Sequence, residues 1–367
     1  LRDTFFVPSF GNRPKSLVGR EDVINEFRLS LQSEPGSRER AMLLLGQRGY
    51  GKTVLLHEFA DIAKDAGFIV ASPTIVSKDM PLRIIEKLKA YGKEFLHNPT
   101  KKLTGGNISF LGFGAGVQLQ NSDDDRKSFA SQLSDICKIF NEKNKPVCIL
   151  IDEVQGNNEE LRQLIIAYQE MVGEGRNISI VFAGLPSAVS SVLNDHVLTF
   201  LNRALKKELP PLKTNEIAFY YKKVLTESGL SVDDDIVKKA AEETQGSPYL
   251  MQLIGHYLVL NYETGMNIGL KTLDKAVKAA KEDFKNDICK ITLASLSERD
   301  IEFLTAMSSF GSECSMTDIT GILNCTGAFA QTYKRRLIHA GVIDQPRRGM
   351  IRFAVPYLQS YLSEQNS

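Results

Sequence analysis

An uninterrupted apolar run, Ala41-Met-Leu-Leu-Leu45, passes directly into Gly46-Gln-Arg-Gly-Tyr-Gly-Lys-Thr53 and then into an amphipathic stretch. Few sequence features confine a fold so tightly. The pattern G-x-x-x-x-G-K-[ST], set between a buried strand and a helix, is a phosphate-binding loop. Glycines at 46, 49 and 51 let main-chain N–H groups, those of Gln47, Arg48 and Tyr50 among them, turn inward on phosphate oxygens. The helix that follows adds the positive end of its dipole. Lys52 then reaches the β- and γ-phosphates of ATP, and the Thr53 hydroxyl is a ligand for magnesium.

Such a loop needs a parallel sheet beneath it. Residues 68–72, 147–151 and 178–183 are further apolar runs, continuous rather than alternating, as strands buried on both faces should be. Helical patterns near 53–66, 81–95, 125–140 and 159–172 separate them, so the chain predicts an α/β fold: a P-loop parallel sheet with helices on both faces. The run at 147–151 ends in Asp152-Glu153, about 100 residues after the P-loop. Ligands of open α/β sheets sit at the carboxyl ends of the strands. Asp152 is therefore expected to hold magnesium with Thr53, and Glu153 to act as general base on an attacking water.

Three boundaries follow. The core is expected over residues 1–210, with a glycine-rich β-hairpin insertion at about 103–122. Pro210-Pro211 breaks any continuing helix or strand. Beyond it Thr214 is read as a helix cap, and Asp233 to Asp235, like Asp123 to Asp125, as solvated carboxylates opening a helix. Leu270, Leu273, Val277, Ala280 and Phe284 step along one helix face, so 211–290 reads as a helical lid and connecting helix. In 291–367, three helical patterns precede an alternating segment around an Arg-Gly turn, the order of a winged helix.

With 45 Lys and Arg against 44 Asp and Glu, bulk charge cannot carry polyanion binding. A local patch could. Residues 325–352 hold six basic side chains, Lys334, Arg335, Arg336, Arg347, Arg348 and Arg352, against one acid, Asp344. They form a candidate stripe for double-stranded DNA phosphates, although 291–367 as a whole is balanced, and a protein-docking role is the alternative. Five cysteines without C-x-x-C spacing and five scattered histidines argue against a disulfide framework or a zinc site. No apolar run approaches the roughly 20 residues of a membrane helix. The first residues show no secretory signal and no initiator Met, so a cytoplasmic protein with a processed or truncated start is expected.

Val18-Gly-Arg-Glu21 ahead of the P-loop, the Asp152-Glu153 pair and the helical region after the core together resemble the AAA+ superfamily. Within it the chain is most similar to initiator-type ATPases of the origin-recognition and cell-division-control group and their bacterial relatives. The resemblance implies that Val18 and Gly19, with Pro8 or Phe10, lie against the adenine. It implies a polar first sensor at the end of the fourth strand, where this chain reads Ala183-Gly-Leu-Pro-Ser187, with Ser187 as the available substitute. Leu201-Asn-Arg203 resembles the segment that carries an arginine finger, so Arg203 would act on a neighbouring subunit's nucleotide; a surface ion pair is the alternative. Where initiators carry a second-sensor arginine, Gln245-Gly-Ser-Pro-Tyr249 looks like the Gly-x-Pro of the signalling ATPases called STAND. Ser247 would cap a helix with Pro248 at its first position, offering the dipole in place of an arginine.

The expectation is an ATPase that binds ATP or ADP with magnesium and couples nucleotide state to assembly or release on DNA, as a homo-oligomer in the ATP state or with an unknown protein partner. A STAND-like signalling switch, or a subunit that binds nucleotide without turnover, is the rival.

Overall fold

The computed structural model describes residues 5–8, 14, 17–96, 128–154, 158–193, 199–262 and 267–365. The expected hairpin at 103–122, Asp123 to Asp125 and Phe10 lie outside the described residues.

After α1 (Glu21–Gln32), β1 (Ala41–Leu45) and α2 (Lys52–Asp65) flank the P-loop. There follow β2 (Ile69–Ile75), α3 (Met80–Tyr91), α4 (Lys93–Leu96), α5 (Phe129–Glu142), β3 (Val147–Val154), α6 (Glu159–Gly173), β4 (Ile178–Gly184) and α7 (Pro186–Leu193). A short edge strand, β5 (Leu205–Glu208), completes a sheet of order β2-β3-β4-β1-β5, every pair parallel. Period-two alternation sorts the layers. Met42 and Leu44 face α1 and α2, where Phe27 stacks on Phe59 at 4.0 Å. Leu43 and Leu45 face the opposite layer with α3, α5 and α6. This is the α/β fold expected, with β1 inside the sheet and the P-loop at its carboxyl end.

The second half is helical: α8 (Thr214–Glu227), α9 (Asp234–Glu243), α10 (Pro248–Leu260) and α11 (Leu270–Phe284), continuing through a wide turn (Lys285–Cys289) into α12 (Lys290–Ala294). Thr214 is the first residue of α8 rather than its cap, and Lys213 before it gives no capping hydrogen bond. Of the apolar stripe on α11, Leu273, Val277, Ala280 and Phe284 are buried, whereas Leu270, in the first turn, is exposed.

Then come α13 (Glu298–Ser308), β6 (Cys314–Ser315), α14 (Met316–Leu323), α15 (Gly327–His339), β7 (Ile343–Arg347), β8 (Met350–Phe353) and α16 (Leu358–Gln365). The strands form an antiparallel sheet β6-β8-β7, an arrangement compatible with a winged helix. Capping boxes, Ser297 with Asp300 and Ser315 with Asp318, start α13 and α14. One buried cluster runs from Phe6 through α8 to α11 and on to Leu362, crossing residue 291 through Cys289 and Leu293. No helix among the described residues is long and apolar enough to cross a membrane.

Candidate nucleotide site

The P-loop takes its shape from glycine. Gly49 and Gly51 have φ of +77° and +81°, in the left-handed region, and Gly51 hands the chain to α2. The Gly46 N–H donates to the Gly184 carbonyl at 3.2 Å, which ties the loop to the end of β4. Lys52 folds back, its Nζ donating to the carbonyls of Gly46 at 2.7 Å and Gln47 at 2.9 Å. Burial pushes the Lys52 ammonium down to about 8, with Asp152 opposing the shift and the neighbouring Arg48 adding to it. Arg48 itself is exposed.

Thr53 and Asp152 converge across 99 residues of chain: Thr53 Oγ1 donates to Asp152 Oδ2 at 2.6 Å. Asp152 is buried, and its other oxygen, Oδ1, accepts from the Glu153 N–H at 2.9 Å. Glu153 has φ of +54°, where non-glycine residues are rarely found, and the β3–β4 register slips between Ile151 and Val154. The slip re-aims one side chain, as bulges do. Asp152 and Val154 stay buried while Glu153 is exposed at the strand's carboxyl end.

Hydroxyl and carboxylate oxygens are the hard donors magnesium takes, usually one or two from protein with phosphate and water completing the shell. Among the described residues no group of three or more His, Cys, Asp or Glu could hold a metal. The Thr53–Asp152 pair, one hydroxyl and one carboxylate at the P-loop, has the donor chemistry of a cation shared with a phosphate chain.

The start of α10 packs beside the loop. Ser247 caps α10 by accepting from the Leu250 N–H, and Pro248 occupies the first helical position, as expected from sequence. A Cβ placed on Gly49 would lie 3.8 Å from Ser247 Oγ and 3.9 Å from Tyr249 Cβ, so the positive end of α10 faces the P-loop. Gly246, with φ of +74°, packs against Pro211, and its carbonyl accepts from the Leu212 N–H at 2.9 Å.

Val18 and Gly19 line a cavity of about 800 Å³ together with Glu216, Phe219, Tyr220 and Lys223 of α8. The N-terminal segment is strapped over the lid: Phe6 is buried edge-on to Tyr220 and Tyr221, and the Val7 N–H donates to Gln252 Oε1 at 2.9 Å. Arg20, not singled out by sequence, turns out to be the strut of the Val18–Glu21 box. Its guanidinium is buried and donates to the carbonyls of Pro210 at 3.0 Å and Tyr50 at 3.5 Å, joining box, linker and P-loop. Its place inside the Val18–Glu21 box was the one signal available.

The other candidates lie elsewhere. Arg203 is exposed at the end of a short 3₁₀ turn (Thr199–Arg203) before β5. Ser187 falls in α7, and its side chain is outside the described set. The basic stripe is divided. Lys334 is buried, so in this conformation it is withdrawn from any surface phosphate. Arg336 pairs with Asp300 at 2.8 Å, Arg347 with Glu313 at 3.0 Å and Arg352 with Asp344 at 2.8 Å. Arg335 and Arg348 are exposed, as is Arg347 beyond its pair with Glu313. Arg352 and Asp344 face the other way: with Gly46, Gln47 and Tyr50 they line a cleft of about 1170 Å³ between the P-loop and the C-terminal sheet.

The family of the AAA ATPase domain matches residues 16–181, and a domain of unknown function (DUF8462) matches residues 286–362. No curated protein matches the chain. Among solved structures, the Walker-type ATPase of Pyrococcus abyssi is 18% identical at a TM-score of 0.68, over 96% of this chain and 97% of that one. The ORC2 protein of Aeropyrum pernix, solved in ADPNP–ADP complexes, is 15% identical at 0.63, over 97% and 96%. Cdc6p of Pyrobaculum aerophilum is 16% identical at 0.51, over 97% and 96%. Residues 16–181 thus match the AAA ATPase domain family, and the chain shares the fold of these three structures over nearly its whole length.

Proposed function

We propose that this AAA ATPase-type chain binds ATP with magnesium, hydrolyses it through Glu153, and uses the bound nucleotide to set how its lid and C-terminal unit sit on the core. One observation carries the reading: Thr53 and Asp152 meet at 2.6 Å at the mouth of the P-loop, with Lys52 on one side and Glu153 on the other. Magnesium, held by Thr53 and Asp152, would neutralise charge developing on the phosphates. Lys52 exchanges the carbonyls of Gly46 and Gln47 for β- and γ-phosphate oxygens. Glu153, displaced from the pleat, takes the proton of the attacking water. The α10 N-terminus supplies the positive potential that a sensor arginine would otherwise give. The nucleotide complexes of the Aeropyrum pernix neighbour support a site of this kind.

The test is Glu153→Gln. ATP binding should survive and phosphate release should fall by at least about 100-fold, as for loss of a general base; unchanged turnover would reject the assignment. Arg203 is proposed to act on a neighbour's nucleotide, so turnover per subunit should rise with protein concentration and cease to do so in Arg203→Ala.

DNA is proposed as an output through the exposed Arg335, Arg347 and Arg348, because Lys334 is buried, Arg336 is tied to the buried Asp300, and Arg352 is tied to Asp344 in the cleft beside the P-loop. Duplex binding measured from about 50 to 200 mM salt should lose slope when these three are replaced by Glu. Absence of binding at the lowest salt leaves the nucleotide switch, with a protein as its reader.

A further inference from the structure

Left-handed backbone in non-glycine residues marks places that surrounding structure must hold, and such outliers gather at functional sites. Two of them meet at the cleft that Gly46, Gln47 and Tyr50 also line. Gln245 has φ of +49° and Tyr357 has φ of +58°, with Gly246 at +74° between Gln245 and the α10 cap. The Tyr357 hydroxyl sits on Glu243, at its main-chain carbonyl and at Oε2, the latter at 2.9 Å. The Gln245 side chain lies beside the same hydroxyl and lines the same cleft. Lys281 of α11 pairs with Glu243 Oε2 at 2.8 Å and lies 4.7 Å above the Tyr357 ring, which also meets Phe284 edge-on. Burial raises the Glu243 carboxyl, but the hydrogen bonds of Lys281 and Tyr357 outweigh it and hold that group below its usual range.

Three parts of the chain are thereby locked to one turn. Residue 357 comes from the C-terminal unit, 281 from the connecting helix, and 243 to 245 from the end of α9. The turn is Gln245-Gly246, and two residues later α10 begins, its cap against Gly49 of the P-loop. Any shift of the α10 N-terminus towards phosphate must pass through that turn, which the C-terminal tyrosine clamps through Glu243.

We infer that Tyr357, Glu243 and Gln245 form a coupling joint: they are positioning residues that fix the α10 N-terminus against the P-loop and pass nucleotide occupancy to the C-terminal unit. The inference rests on the nucleotide reading above and deepens it to the regulation of that site.

The experiment is hydrogen–deuterium exchange on the full chain, with and without saturating ADPNP and magnesium. In the parent, protection should change together at 46–53, 243–250 and 342–358. Tyr357→Phe, which keeps the ring and removes the hydroxyl, should keep the response at 46–53 and lose roughly tenfold of the response at 342–358, the worth of a hydrogen bond to a charged group. Gln245→Gly keeps the left-handed turn without its amide, and should uncouple the two regions in the same sense if Tyr357→Phe fails to fold. A parent that responds at 46–53 but not at 342–358 overturns the joint. So do variants that lose thermal stability yet respond as the parent does, since that is a merely structural role. No response at 46–53 in the parent would overturn the nucleotide reading itself, and the joint with it.

Discussion

Two side chains at the site carry their chemistry in their unfavourable settings. Glu153 is held with φ of +54°, a conformation costing a non-glycine residue about 1 kcal/mol. Glu153→Gly should therefore raise the midpoint of thermal unfolding by a few degrees while abolishing phosphate release, a split that calorimetry and a turnover assay would register together. Lys52 titrates at about 8 because it is buried, against about 10.4 in an unfolded chain. Between those values the unfolded chain holds the extra proton, so stability rises with pH across that window, and below it the buried ammonium is destabilising. Nucleotide binding runs the opposite way, because phosphate requires the charged form. Affinity for ATP should be flat below pH 8 and fall by up to about tenfold per pH unit above it. Isothermal titration across pH 7 to 10 would show this, and in Lys52→Ala the dependence should vanish along with most of the affinity.

At the level of loops and helices, Gly246 and Gly349 make a controlled comparison. Both have positive φ, +74° and +82°. A Cβ on Gly246 would stand 2.6 Å from Pro211 Cβ and 2.9 Å from the Leu212 carbonyl, whereas one on Gly349, in the β7–β8 turn, meets nothing within 4 Å. Gly349→Ala should cost about 1 kcal/mol and leave nucleotide affinity alone. Gly246→Ala should cost more and weaken nucleotide binding several-fold, because it pushes the α10 cap off the P-loop; equal effects would dissociate that cap from the site. The buried strands were legible in sequence because β1, β3 and β4 are built on continuous, mostly apolar runs, and they appear at Ala41–Leu45, Val147–Val154 and Ile178–Gly184. The P-loop and the Ser247–Pro248 cap were legible for the same kind of reason, since local chemistry alone sets them. What escaped was tertiary. β5, with Lys206 and Lys207 on an edge strand, carries too weak an alternation to announce itself. Arg20 is explained only by the carbonyls of Tyr50 and Pro210. The division of the basic stripe depends on Asp300 and Glu313, acids 36 and 34 residues away from the arginines they hold.

Across the molecule, the apolar packing divides in a way the linear order of segments hides. The sheet has its own two cores, whereas the lid and the C-terminal unit share one, running from Phe6 to Leu362. A chain cut after residue 290 would expose Phe284 and its neighbours, so that fragment's helical part should lose cooperative melting while the sheet still unfolds as a unit. Differential scanning calorimetry of the two chains would test it. The C-terminal unit also meets the core beside the P-loop: a side chain at Gly341 would run into the Gln47 side chain and crowd Leu185, and its φ of +67° already disfavours one. A single bulky substitution there, such as Gly341→Val, is thus a wedge. It would prise the tail of the protein away from the phosphate loop without altering a single residue that handles phosphate, trapping the undocked form for direct study.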